Sequence, residues 1–565
     1  MKFGSGLPRT DFQSGAGAKF KVKMQNLFRK EFQVLGFKIK LYELCLFLLL
    51  VILYLFTRVY HLTILPVFCD EAIYIRWAQV MKNEPTLRFL PLSDGKQPLF
   101  MWLVIPFLKL FRDPLFAGRM VSVFSGLLTM MGLGVLVTLI CQCIEVGLLT
   151  ILLYIMVPFT LFFDRMALAD SLLSAFGVWA LIFSILLAKF KRLDLAMILG
   201  FILGGAMLTK SPAMIFVLMG VIVVLLCHPE RSPKVSGRVE RSLLRLRFQK
   251  RDSSASVGMT RKIVLLIVTS FITFSIYNVL RLGPNFQMIA IRNKDYAFPF
   301  SEIIKKPFFP LMNNLKSVLS FYWGYLTPVG VILGILGIVY GIKEIKKLRN
   351  LEILVIFAWL FIPIIGQSFV SRAMTSRYLL YSIPLFILFI SYGLRVTGLK
   401  IREITRSSLT RNGMIALTLI VILIPSVIFD IKLLFNPGKL PLVKEDLGYI
   451  EGWTSGWGIK ETADYLKSLP REKGIVVGTE GYFGTLPDGL QIYLEGEKDI
   501  SVVSAGWPVK TIPEALLNAK RSGNMVYLVV NKSRLQIVDT TKLKLIKEYE
   551  KPGGDNLLFC EISNF

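Results

Sequence analysis

Apolar runs of about twenty residues recur from Leu41 to Asp430, and that length carries a helix across the hydrocarbon core of a bilayer. A chain with this pattern folds as a bundle of membrane helices, because lipid offers no partner to an unpaired backbone N–H or C=O. At 54% hydrophobic and 18% charged residues, with a mean hydropathy of +0.59, the composition excludes a soluble or disordered class. The runs stop after Asp430, and Lys439–Phe565 alternates short helix and strand patterns. The expectation is therefore a membrane body, residues 41–434, followed by a small α/β domain, residues 435–565.

The net charge of +28 sets orientation rather than marking a nucleic-acid binder. Met1–Lys40 holds nine Lys/Arg against two acids, and His228–Lys262 ten against three. Smaller surpluses sit at Lys189–Asp194, Gly341–Asn350 and Arg395–Arg411. All border apolar runs, as cytoplasmic loops do. Placing them inside yields eleven crossings: Leu41–Tyr60, Leu115–Leu139, Val146–Phe163, Ser171–Ala188, Leu195–Leu208, Pro212–Cys227, Ile263–Leu280, Ser317–Tyr340, Leu351–Phe369, Tyr378–Leu394 and Met414–Phe429. Pro98–Phe111 is too short to be a twelfth. It falls in one long external loop, residues 61–114, with juxtamembrane helices. On this count the chain lies in the plasma (cytoplasmic) membrane, with residues 1–40 and the basic insert 228–262 inside and the C-terminal domain outside. The insert resembles translated palindromic repeats of bacterial genomes and is assigned no chemistry. With two histidines, His61 and His228, and six scattered cysteines, no Cys/His zinc cluster is available.

This topology, fixed without reference to any site, gathers polar residues on one face. Asp70, Glu71, Arg76, Lys96, Asp164, Arg165, Asp170, Lys210, Arg292, Arg372, Arg377 and Tyr378 all fall in external loops or at external span ends. Ionisable groups at such depth mark function more often than packing. Cations there suit a phosphate, and a carboxylate suits proton removal from an attacking hydroxyl. Plainer readings stand beside these. Asp70 and Glu71 would cap the following helix, and Asp164 would pair with adjacent Arg165. Asp170 suits an N-cap, Lys210 a side chain snorkelling to the interface, and Arg372 and Arg377 interface anchors.

The motifs Asp70-Glu71 with Tyr74, Gly95-Lys96-Gln97-Pro98-Leu99, Gly118-Arg119, Asp164-Arg165…Asp170, Thr209-Lys210-Ser211-Pro212 and Arg377-Tyr378…Pro384 occur in an order that resembles glycosyltransferase family 39 and its relatives. These include the protein O-mannosyltransferases and the aminoarabinose transferases of lipid A. The resemblance covers most of Leu41–Pro384 and not the tail. It implies the type C fold of about eleven membrane helices, a long first external loop and an extracytoplasmic active site. It implies Asp70 as catalytic base or acceptor-orienting carboxylate, with Glu71 supporting it or helping to hold a divalent ion where one is used. Asp170 matches the second acid, Lys96, Lys210 and Arg377 positions near the donor phosphate, and Tyr378 the pocket wall. Asp164, Arg165 and Arg372 are further candidates.

The expected reaction is inverting transfer of a sugar from a polyprenyl-phosphate donor to a lipid, glycan or protein acceptor. No cofactor is required beyond that possible metal ion. The alternative is a lipid-linked glycan transporter or an envelope-assembly protein, against which the sequence offers no internal repeat and places its charges at one face.

Overall fold

The computed structural model describes residues 31–34, 37–226, 255–306, 308–348, 351–404, 408–470, 472–537 and 541–563. Most of the basic segment 1–40 and of the insert 228–262, with Cys227 and His228, lies outside the described residues. A short antiparallel hairpin, β1 (Glu31–Val34) and β2 (Phe37–Lys40), leads into α1 (Leu41–Val59). Nineteen residues at 1.5 Å each give α1 about 28 Å, enough to span.

The loop that follows builds α2 (Cys69–Asn83) and α3 (Leu99–Leu110). At twelve residues α3 reaches only about 18 Å. The next span, α4 (Pro114–Cys141), opens on Asp113, whose Oδ1 accepts from the N–H groups of Leu115 and Phe116 at 2.9 and 3.0 Å. Pro114 fills the first helical position, where a missing N–H costs nothing. Then come α5 (Ile144–Met156), α6 (Pro158–Asp164), α7 (Ala169–Phe190), α8 (Leu193–Thr209), α9 (Met214–Leu226) and α10 (Ala255–Asn278). The next connecting stretch holds α11 (Met288–Tyr296) and α12 (Phe300–Lys305), and the body closes with α13 (Phe308–Tyr325), α14 (Pro328–Leu348), α15 (Leu351–Val370), α16 (Ile383–Ile404) and α17 (Ser408–Phe435).

Among the described residues, seven helices are long and apolar enough to cross a membrane, and two bent pairs raise the number to nine. The shorter apolar helices α8 and α9 occupy the other two runs expected to span. One run is corrected: Ser317–Tyr340 is not a single straight crossing. It breaks between α13 and α14 with a bend of 114°, because Thr327 takes a φ of 63° and Pro328 cannot donate to a helix continuing through it. The α5–α6 pair bends by 64° at Pro158 for the same reason. Residues 378–382 are also not part of the α16 span; a 3₁₀ turn, Ser376–Leu379, precedes it.

Small residues let the spans approach. Gly200 and Gly204 of α8 face Ile272 and Ile276 of α10, and Thr269 Oγ1 donates to the Ala196 carbonyl at 3.0 Å. With lipid on all sides, such close packing and interhelical hydrogen bonds replace the hydrophobic drive.

The tail is a five-stranded mixed sheet of β3 (Ile475–Thr479), β4 (Ile500–Ser504), β5 (Met525–Asn531), β6 (Leu543–Tyr549) and β7 (Leu557–Ile562), in the order β4-β3-β5-β7-β6. β3 runs parallel to β4 and β5, and β7 antiparallel to β5 and β6. Three helices accompany it: α18 (Ile459–Ser468), α19 (Asp488–Tyr493) and α20 (Glu514–Arg521). The tail rests on α2. Gln79 Nε2 donates to the Ile492 carbonyl at 2.8 Å, Arg76 pairs with Glu495, and the Cys69 N–H reaches the Thr454 carbonyl at 3.0 Å.

Candidate active site

The first turn of α2 is fixed by Glu71. Its Oε2 accepts from the Phe68 N–H at 3.0 Å, a capping-box contact that starts the helix. Arg119 of α4 grips both oxygens, Nε to Oε1 at 2.8 Å and Nη2 to Oε2 at 2.7 Å, and the Ala167 N–H adds a bond at 2.6 Å. The pair is buried, and Arg119 spends its remaining donors on the carbonyls of Leu62, Leu65 and Pro66. A Cβ at Gly118 would lie 2.7 Å from Ile75, so the glycine of the Gly-Arg motif is what lets α2 come this close to α4.

With Glu71 held inward, Asp70 is left half-open on the other side of the turn. Its Oδ2 accepts from Arg377, which stands on the Ser376–Leu379 turn. Beside them Asp170, in the first turn of α7, pairs with Lys210 at 2.6 Å. Lys210 Nζ sits 4.4 Å from the centre of the Tyr378 ring and the Arg377 guanidinium 5.4 Å from it, so one aromatic ring is shared by two cations. Lys96 follows Gly95, whose φ of +68° makes the turn and whose missing Cβ leaves room for Arg292 and the Met288 carbonyl. The Lys96 amine lies 3.5 Å from Asp94 and 3.4 Å from the Tyr296 hydroxyl.

The electrostatics follow from this crowding. Burial pushes the Asp70 carboxyl up, but Arg377, then Lys96 and Lys210, hold it below the ordinary carboxylate range. Burial likewise works against the Lys96 ammonium, yet Tyr74, Asp70, Tyr296 and Asp94 hold its pKa above the usual lysine value. Burial opposes the charge on Arg377 too, and Asp70 restores it. At Asp70 the cations together outweigh burial.

The structure thus brings Asp70, Asp170, Lys96, Lys210, Arg377 and Tyr378 together and leaves four other candidates apart. Glu71 is saturated beneath them. Asp164 and Arg165 do not pair with each other. Asp164 is buried against the hydroxyls of Tyr54 and Tyr154, at 3.3 and 3.2 Å, with Arg58 Nε at 3.9 Å. Arg165 caps α1 through the carbonyls of Thr57, Arg58, Tyr60 and His61, at 2.7 to 3.0 Å. Arg372 donates to the Ala297 carbonyl at 3.2 Å and covers Phe298. Of the other polar residues on this face, Arg292 pairs with Asp94 and Asp295, both at 2.7 Å. Asp170 makes no cap bond and Lys210 has a carboxylate partner, which removes the plainer readings of both. Sequence reasoning missed the role of Arg119, although an arginine inside an apolar run signals a buried carboxylate nearby.

A divalent ion does not fit the Asp70–Glu71 pair. The Glu71 oxygens are filled by Arg119 and two backbone N–H groups, and Asp70 faces Arg377. Among the described residues no three His, Cys, Asp or Glu side chains converge.

Comparison with known proteins bears on the fold. Residues 95–240 match the family described as dolichyl-phosphate-mannose-protein mannosyltransferase. The crystal structure of ArnT from Cupriavidus metallidurans bound to undecaprenyl phosphate is 13% identical, covering 92% of this chain and 98% of that one, with a TM-score of 0.52. The same protein in the apo state is 14% identical, covering 92% of this chain and 97% of that one, with a TM-score of 0.53. No match was found among curated protein sequences. The fold is therefore that of the two ArnT structures, a multi-pass membrane body with a C-terminal domain, and the match over residues 95–240 is in line with the resemblance drawn from the motifs.

Proposed function

We propose that this membrane protein is a glycosyltransferase moving a sugar from a polyprenyl-phosphate-linked donor to an acceptor hydroxyl at the extracytoplasmic face, with inversion. The observation that carries the reading is the pairing of Asp70 with Arg377 beside Lys210, Asp170 and Lys96, a carboxylate ringed by cations at one end of the bundle. The Lys210 and Lys96 side chains are each partly exposed, so their ammonium groups can turn to an incoming phosphate oxygen. The ArnT structure with undecaprenyl phosphate supports a lipid phosphate as the ligand class.

In the proposed step the acceptor oxygen attacks the anomeric carbon through an oxocarbenium-like state. The bond from that carbon to the phosphate oxygen breaks, and polyprenyl phosphate leaves with the electron pair. Arg377, Lys210 and Lys96 stabilise the charge that develops there, so no general acid is needed. The acceptor proton passes to Asp70. Free of donor, Asp70 is a weak base because Arg377 neutralises it. A phosphate competing for the same guanidinium removes that restraint, and the carboxylate gains basicity when there is something to deprotonate. Asp170 keeps Lys210 over the Tyr378 ring. The N-terminus lies inside and residues 435–565 outside in this scheme.

The test is release of polyprenyl phosphate by purified protein in vesicles, against a panel of polyprenyl-phosphate sugars with candidate acceptors. Release from one donor by the wild type and not by Asp70→Asn is expected. Equal turnover by Asp70→Asn would overturn the assignment, and no release from any donor would favour transport or assembly.

A further inference from the structure

From β3 the chain passes to β4 on one side, then crosses to β5 on the other. The carboxyl ends of β3 and β5 therefore flank a topological switch point, where open α/β sheets bind ligands. The loops that gather there carry aromatic rings turned to solvent: Tyr482 is 77% exposed, Phe483 63% and Trp507 62%. Trp453 joins them at 40%. Arg534, on the loop after β5, lies between the two tryptophans, 3.8 Å from the Trp453 ring centre and 5.4 Å from that of Trp507. Glu480, which accepts two bonds from Asn531 at 2.7 Å, stands 3.6 Å from the same guanidinium. The two tryptophan rings are thus held before any ligand arrives.

Two of the loops that carry this crest reach the start of α2. A Cβ on Gly484, next to Phe483, would lie 3.2 Å from Cys69 Sγ. Ser455, two residues from Trp453, bridges to Phe68. Both loops therefore touch the residues immediately before Asp70.

We propose that the crest of Trp453, Tyr482, Phe483 and Trp507 with Arg534 is a saccharide-binding surface that presents the acceptor, so that the acceptor is a glycan. The inference rests on the glycosyl-transfer reading above. A sugar ring has an apolar C–H face that lies flat on an aromatic ring and a rim of hydroxyls that takes polar partners such as Arg534 and glycine-loop backbone. It also supplies the hydroxyl that Asp70 deprotonates. A bilayer or an apolar peptide would be met by aliphatic side chains as well. Among the described residues of the tail the one large aliphatic side chain exposed is Leu545, on β6 at the far edge of the sheet.

The test uses the full-length protein in nanodiscs and short oligosaccharides of two to six units as probes. A saturable change in tryptophan emission is expected, weakened about tenfold or more in apparent affinity by Trp507→Ala. Tyr482→Ala with Phe483→Ala should act in the same direction, and at these exposed positions misfolding is not the cause. In turnover the same variants should raise KM for the oligosaccharide acceptor and leave KM for the donor in place. No response to any saccharide by a protein that turns over donor with a peptide acceptor would overturn the inference, as would a response untouched by these variants. Shielding of Trp453 and Trp507 from iodide by the nanodisc lipid would assign the crest to the bilayer and overturn it too. A saccharide response without release of polyprenyl phosphate from any donor would uphold the surface and overturn the transfer reading instead.

Discussion

Asp70 and Glu71 are chain neighbours with opposite fates. Glu71 is sealed in a buried pair, with every lone pair directed at Arg119 or a backbone N–H. Asp70 is half-open, with one arginine in contact and two lysines close enough to shape its charge. A buried charge whose partners are complete is architecture, since removing one partner strands the other. A charge that is only partly buried and shaped by several cations is a candidate for chemistry. Asp164, enclosed by two tyrosines and Arg58, also differs from Asp170, which is buried too but pairs with a partly exposed lysine, Lys210.

Mutations at the two carboxylates break this comparison most directly. Asp70→Asn should lower kcat by about 10²- to 10⁴-fold, the range of a lost general base, with a fall in thermal stability in detergent smaller than that of Arg119→Met, since the Asp70–Arg377 pair is only partly buried. Arg119→Met should act the other way, costing about 3–5 kcal/mol by stranding Glu71, seen as a fall in Tm and in yield. Normal stability in Arg119→Met would mean that the sealed pair is not architecture. Arg377→Lys keeps the charge and loses the fork, so donor KM should rise about tenfold or more.

The pH dependence sharpens the contrast. Because the folded pKa of Asp70 lies below its unfolded value, its contribution to stability is present above the ordinary carboxylate range. That contribution is lost as the pH falls through the folded value. The acid limb of kcat/KM for the wild type should accordingly lie below the ordinary carboxylate range, and Arg377→Gln should move it upward by removing the largest opposing influence. An unmoved limb would take Asp70 out of the rate profile. The smallest effect belongs to Lys96→Ala, which touches Asp70 only through space and should cost a few-fold in donor KM, about 1 kcal/mol or less.

Much of this was legible in the chain. The apolar runs and the basic loops give the spans, and residues 475–479, 500–504, 525–531 and 543–549 carry their strand patterns openly. Asp70, Lys210 and Arg377 lie far apart in sequence, and their shared side follows from counting crossings. What the chain did not disclose is direction within a turn. Nothing local says that Asp70 faces out and Glu71 in, because Arg119, which decides it, comes from a different helix. Asp164 and Arg165 are adjacent yet bind separate partners, a choice made by α1 and α5. Nor does periodicity announce the break at Thr327, since the apolar pattern runs through it and only Pro328 hints at the bend.

The docking of α19 on α2 has a consequence for how such chains are taken apart. Gln79, Arg76 and Asn83 of α2 all find their partners on Ile492 and Glu495 of the tail, so the helix that begins with Asp70 is shared property of two modules. A cut near residue 435 would strip one flank from that helix, and lost turnover in such a truncation would not assign the chemistry to the tail. For the same reason a graft of a foreign tail onto this body should work only when the outward flank of α2 travels with it. The exchangeable cassette is then a discontinuous one, the tail together with a helix lying some four hundred residues upstream, as the Gln79 to Ile492 separation of 413 residues attests.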